Sequence, residues 1–218
     1  MEYWGKSRNE GYDGRTAYQE LPICCIALIG INVMIFLVGI LVPQLGSIMR
    51  EKGQFGVLYL MYGGEFYRLI TSAFLHSDAA HLCNNMLLLY FCGDVVEKSL
   101  GRWKFLLLYF LSAVFGDLLS AAFEFSTGGY YNSIGASGAV FGLTGAMLFL
   151  VIIKKGTAAN ISMKRALIAV ALSLYAGFSD VGVNNAAHVG GLLSGFIFAF
   201  LLSMIPTREK RRNKNEKR

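Results

Sequence analysis

Apolar runs long enough, or nearly long enough, to cross a bilayer recur along this chain at about residues 22–42, 81–97, 103–123, 136–153, 164–178 and 186–205. Hydrocarbon offers no water to the backbone, so each run has to satisfy its own N–H and C=O groups, and a helix does so within one segment. With 55% hydrophobic and only 16% charged residues among 218, the chain reads as one membrane domain with short polar ends. The expected fold is an all-α membrane protein: a six-transmembrane-helix bundle over 21–206, preceded by a short polar segment at 1–20 and followed by a basic tail at 207–218. The fifth run is the shortest, and its end is blurred by Gly177 and Asp180. The first is too long, and lies too deep in the chain, for a simple cleaved signal peptide.

Basic residues set the expected orientation. Lys98, Arg102 and Lys104 separate the second and third runs; Lys154, Lys155, Lys164 and Arg165 separate the fourth and fifth; Thr207-Arg208-Glu209-Lys210-Arg211-Arg212 begins the tail. With six spans these segments share one side, which makes both termini cytoplasmic and turns the loops at about 43–80, 124–135 and 179–185 outward. Topology and anionic headgroups account for much of the net charge of +6. No folded basic domain is present, so no nucleic-acid partner is expected. Cys24, Cys25, Cys83 and Cys92 all fall within runs and show no CxxC or zinc-ligand spacing. They read as small packing residues, with no metal or other cofactor expected.

Polar residues inside the runs carry the chemistry. Ser137 precedes Lys154 by 17 positions, His188 precedes Ile205 by 17, and His81 precedes Lys98 by 17, roughly 25 Å of helix in each case. The second, fourth and sixth runs point the same way in this topology, so these three residues share one level near the outer face. Asn85 follows His81 by one turn on the same helical face. Ionisable groups at such depth are costly and face a protein interior or a wet cavity. Gly138, Gly142 and Gly145 form a stripe on the fourth run, and Gly191 and Gly195 a small-xxx-small stripe on the sixth. Such stripes bring backbones close enough for a serine hydroxyl to meet an imidazole.

On these residues the chain resembles the rhomboid intramembrane serine proteases. Gly135-Ala136-Ser137-Gly138 is similar to the family's nucleophile motif, and Ala187-His188 with Gly191 to its base motif. His81-Leu82-Cys83-Asn84-Asn85 is similar to its HxxxN element, and Glu97-Lys98-Ser99-Leu100-Gly101 to its ExxxG element. The likeness runs from about Glu65 to Gly195. Two positions depart from it. The family's Trp-Arg pair in the first outer loop stands here as Tyr67-Arg68, which implies an aromatic anchor and an arginine bonded to backbone. An aromatic residue one turn after the nucleophile, often Tyr in the family, is Phe141, able to stack on His188 but without a hydroxyl.

The expected mechanism is a dyad in which Ser137 attacks a carbonyl and His188 moves the proton. The Ser137 N–H, His81 and Asn85 would hold the oxyanion at a helix N-terminus. Gly135, Gly138, Phe141 and Gly191 support the site; Arg68 is read as a loop organiser and Glu97 as an interfacial carboxylate bonded to backbone. His76 reads as a solvated interfacial residue. Zinc-protease chemistry lacks HExxH here. An aspartic dyad of Asp94 and Asp117 fails on depth, which differs by about 13 Å, and both carboxylates are expected to face cavities or water. A small transporter would carry paired repeats or a midplane site. The resemblance implies single-span transmembrane proteins within the lipid bilayer as substrates, entry beside the fifth span, and no metal. The other class of reading is a catalytically silent rhomboid-like protein that binds membrane clients; Ser137 and His188 both being present weighs against it. With no organelle-targeting segment read, a bacterial cytoplasmic membrane is the expected location.

Overall fold

The computed structural model describes residues 21–153 and 184–205, together with 157–158, 161–162, 164, 167–168 and 170–171. The terminal segments expected at 1–20 and 207–218, and most of the fifth expected span, lie outside the described residues. The described chain is helical: α1 (Ile23–Leu41), α2 (Pro43–Gly53), α3 (Val57–Gly63), α4 (Arg68–Thr71), α5 (Ala79–Leu100), α6 (Arg102–Thr127), α7 (Ser137–Ile153) and α8 (Asn185–Met204). A pair of two-residue antiparallel strands, Thr157–Ala158 with Ile161–Ser162, follows α7 and is too short to alter the helical class.

By length and composition α1, α6 and α8 can each cross a membrane, and α7 is a shorter apolar helix. The 22-residue α5 is long enough, with Asn84, Asn85, Asp94 and Glu97 set among its apolar residues. The segment at 43–80, expected as an outer loop, contains α2, α3 and α4. Pro43 opens α2 at a position where its missing N–H costs nothing. Gly64, in the left-handed conformation (φ 63°), closes α3.

Twelve of the seventeen residues of α7 are buried, which makes it the central helix, with α5, α6 and α8 around it. Its glycines admit this crowding. A Cβ at Gly191 would overlap the Gly138 carbonyl, one at Gly195 the Gly142 carbonyl, and one at Gly145 the Leu192 carbonyl. On α6, a Cβ at Gly116 would sit 2.9 Å from the Ala187 carbonyl oxygen, so α6, α7 and α8 meet backbone to backbone. At the periphery, α1 is tied to α5 by Glu97, whose carboxylate accepts the N–H groups of Cys24 at 3.1 Å and Cys25 at 2.8 Å. That caps the N-terminus of α1 and satisfies a carboxylate buried in the fold.

Gly195→Ala is expected to lose about 1–3 kcal/mol through overpacking against a backbone that cannot move aside. Gly30→Ala, with nothing within 4 Å of the added carbon, should stay within about 0.5 kcal/mol. Thermal unfolding of both variants in one detergent measures the contrast.

Candidate active site

The segment leading into α7 is held by backbone bonds to distant parts of the chain. Phe55 and Ser133 exchange N–H···O bonds of 2.9 and 2.8 Å, and the Gly135 N–H donates to the Ser72 carbonyl at 3.0 Å. Gly135 has φ 134°, a conformation closed to side chains. A Cβ there would lie 2.8 Å from His81 Nε2 and 3.7 Å from Ser137 Oγ, so the bare backbone lets ring and hydroxyl gather at one point. Ser137 is the first residue of α7. The helix's first bond runs from the Val140 N–H to the Ala136 carbonyl, which leaves the N–H groups of Ser137, Gly138 and Ala139 without intrahelical acceptors at the positive end of the dipole.

His188 is buried in the first turn of α8. Its ring stacks on Phe141, centroids 4.2 Å apart and planes within 7°, as the Phe substitution still allows. Its Nδ1 has no hydrogen-bond partner among the described residues. Asn184 caps this helix: its side-chain oxygen accepts the Ala187 N–H at 3.1 Å, and its carbonyl the His188 N–H at 3.2 Å.

The third element is the start of α5. Asp78 caps it by accepting the His81 N–H at 2.9 Å. Ser77 Oγ donates to Asp78 at 2.7 Å and lies 3.0 Å from His81 Nδ1. A cavity of about 1600 Å³ is lined by Ser137, His188, His81, Asn85 and Phe141, with Asp117 on its α6 wall. Gly135 and Gly138 line it as well, while Gly191 lies behind it at the α7–α8 contact.

Other expected residues sit elsewhere. Glu97 is at the far end of α5, on the α1 cap. Arg68 is buried and donates to the Glu51 and Gln54 carbonyls at 2.9 Å each and to Glu65 at 2.8 Å, organising the loop through backbone. Two rings flank the Arg68 guanidinium: Tyr59, 4.0 Å from its centroid, and Tyr67, 5.5 Å away, half exposed and donating its hydroxyl to Glu65. Asp94 pairs with Lys98 at 2.6 Å, and Asp117 accepts from Ser72 at 3.0 Å.

His76 corrects the sequence reading. Rather than solvated, it is 6% exposed, edge-on to His81 with centroids 5.1 Å apart, and neither ring nitrogen has a partner among the described residues. A lone histidine at the interface reads as solvated; in the fold it follows the short 3₁₀ turn Ser72–Phe74 and lies against His81. Glu124, 1% exposed on α6, was also missed, since one carboxylate near a helix end reads as interfacial. Among the described residues no group of three or more His, Cys, Asp or Glu side chains is arranged to hold a metal.

A Rhomboid domain family model matches residues 63–205. The chain is 35% identical over 145 residues to Rhomboid protease GluP of Bacillus subtilis (strain 168), covering 66% of this chain and 28% of that protein. To RHOMBOID-like protein 4 of Arabidopsis thaliana it is 37% identical over 160 residues, covering 72% and 39%. To Putative rhomboid protease YdcA of Bacillus subtilis (strain 168) it is 33% identical over 138 residues, covering 63% and 68%. The matched stretch is thus well under half of the first two relatives.

Burial, with the charge of His81 acting in the same direction, pushes the His76 imidazole down to about 4. The unfolded chain, with a histidine near 6.5, therefore binds more protons between those values, and stability falls as pH drops from about 6.5 toward 4, then levels. Thermal unfolding against pH should show that limb in the wild type and a flatter one in His76→Phe.

Proposed function

This chain belongs to the rhomboid family, and from that membership we propose that it is a serine endopeptidase that cuts membrane-protein substrates in or beside their transmembrane segments. The observation that carries the reading is the convergence of Ser137, His188, His81 and Asn85 on one cavity at the starts of three helices. Ser137 Oγ attacks the scissile carbonyl, His188 accepts the hydroxyl proton, and the same histidine returns it to the leaving amine. A water then enters the cavity and repeats the sequence on the acyl-enzyme. The Phe141 stack holds the imidazole ring in place, and with Nδ1 unpaired among the described residues the pair acts as a dyad.

The oxyanion is held by the Ser137 N–H with His81 and Asn85. Ser77 adds a constraint. A hydroxyl has one proton, and Ser77 spends its proton on Asp78, so its oxygen accepts from His81 Nδ1–H. Donation from His81 Nε2, the nitrogen beside Gly135, then requires the imidazolium form or a turn of the Ser77 proton toward Nδ1.

The substrates in this reading are single-span membrane proteins. Their helical carbonyls are already bonded, so a segment unwinds locally before its carbonyl reaches Ser137. Both termini face the cytoplasm, the cavity opens near the outer face, and the location is a bacterial cytoplasmic membrane. Gly135, Gly138 and Gly191 act through backbone approach, Arg68 and Glu97 through the scaffold.

Purified protein in liposomes with a single-span reporter, EDTA present throughout, tests the proposal. Cleavage by wild type, and none by Ser137→Ala or His188→Ala, is expected. His81→Ala and Asn85→Ala should each lower turnover by about 10²–10³. Equal cleavage by wild type and Ser137→Ala would rule out the dyad. Reporter binding with no cleavage by any form would instead favour a client-binding protein.

A further inference from the structure

Helix α6 contributes neither the nucleophile nor the base, yet it carries two acidic side chains, Asp117 partly buried and lining the cavity and Glu124 fully buried. Asp117 and Glu124 are seven residues apart, two turns along one helical face, with Ser120 between them. Carboxylates at such depth are costly where an apolar or amide side chain would pack, so their partners are informative.

Asp117 Oδ2 accepts the Ser72 hydroxyl at 3.0 Å, and the Ser72 carbonyl accepts the Gly135 N–H at 3.0 Å. Through one intermediate residue, the first carboxylate reaches the positive-φ glycine two positions before Ser137. Glu124 is wholly bonded: Oε1 accepts from Ser120 Oγ at 2.8 Å and Oε2 from the Tyr131 N–H at 3.3 Å. Ser120 Oγ in turn accepts from Asn184 Nδ2 at 2.5 Å. The oxygen of that same Asn184 amide caps the helix that presents His188. One acid is thereby connected to the nucleophile's approach segment and the other to the base's helix.

We propose that Asp117 and Glu124 are positioning residues that set Ser137 and His188 relative to each other from α6, the first through Ser72 and Gly135, the second through Ser120 and Asn184. The inference rests on the protease reading above. Both residues act through others and need not touch substrate. A hydroxyl–imidazole pair tolerates little displacement: a misplacement of about 1 Å costs on the order of 10²-fold in rate. Two rigid connections from a common helix limit such drift in a way that apolar contact, which lets helices slide, does not.

The test compares Asp117→Leu, Asp117→Asn, Glu124→Leu and Glu124→Gln with wild type in liposomes. It measures kcat and KM on the single-span reporter, the rate of Ser137 labelling by a fluorophosphonate, and thermal unfolding. The leucine variants are expected to lose about 10- to 100-fold in kcat, with a parallel loss in labelling rate and KM within about threefold. Asparagine and glutamine, which keep an acceptor for Ser72 and Ser120, are expected to recover most of that loss. Because labelling needs no substrate recognition, it separates dyad alignment from substrate binding. Leucine variants with wild-type kcat and labelling and only a lowered unfolding temperature would overturn the inference, reducing both acids to helix adhesion. A raised KM at unchanged kcat would also overturn it, since the residues would then read substrate. If a leucine variant fails to fold, Ser72→Ala and Ser120→Ala decide: a loss of about 10- to 100-fold in kcat and labelling beside near-wild-type amide variants supports positioning through those hydroxyls, and alanine variants that match wild type overturn it. Wild type that neither cleaves nor labels would remove the protease reading itself, a result distinct from active wild type with indifferent variants.

Discussion

Where α7 crosses α8, carbonyl oxygens of one helix rest against glycine Cα atoms of the other, with no side chain between them. Lipid gives helices no hydrophobic reason to associate, so contact of this kind, built on dispersion and close backbone approach, has to hold them. Everything at the cavity inherits that spacing. A serine hydroxyl stands one bond from its own Cβ, and an imidazole can be delivered to it only by a helix that is almost touching. The third partner, α6, enters the same knot at Gly116 against the Ala187 carbonyl. The start of the histidine helix is thus clasped from two sides.

Polar groups then fix what the glycines merely permit. Small-residue stripes allow helices to slide by a turn, because one glycine resembles the next. Directional bonds in a low-dielectric interior remove that freedom. Glu97 fixes α1 on α5, Arg68 gathers α2 and the connection after it by two carbonyls, and Asn184 holds the first turn of α8. Each of these side chains bonds at least one backbone group. The bond therefore constrains the course of the chain itself.

Much of this was legible in the sequence, and for specific reasons. Equal spacing of Ser137, His188 and His81 from the far ends of their runs suggested one level, and the cavity is lined by the same three. The stripes through Gly138, Gly142 and Gly145 and through Gly191 and Gly195 are the surfaces in contact. What stayed hidden depended on partners remote in sequence. His76 looked solvated because nothing nearby announces that its neighbour in space is His81. The helices within 43–80 were hidden by short length and mixed composition, which give little periodicity to read. Tyr59 joins Tyr67 at the Arg68 guanidinium from an earlier helix, which no local spacing announces. Glu124 and Ser120 carry no motif; only the fold brings Asn184 to them.

The cap on α1 has a consequence for the order in which the protein is made. Cys24 and its receptor Glu97 are 73 residues apart, so α1 leaves the ribosome and enters the bilayer long before its carboxylate exists. Only 17% of its most apolar window becomes buried in protein, and its residence in lipid depends on its own hydropathy, not on neighbours. Insertion and docking are therefore separate events for this helix, the second able to occur only after the chain has turned back through the membrane.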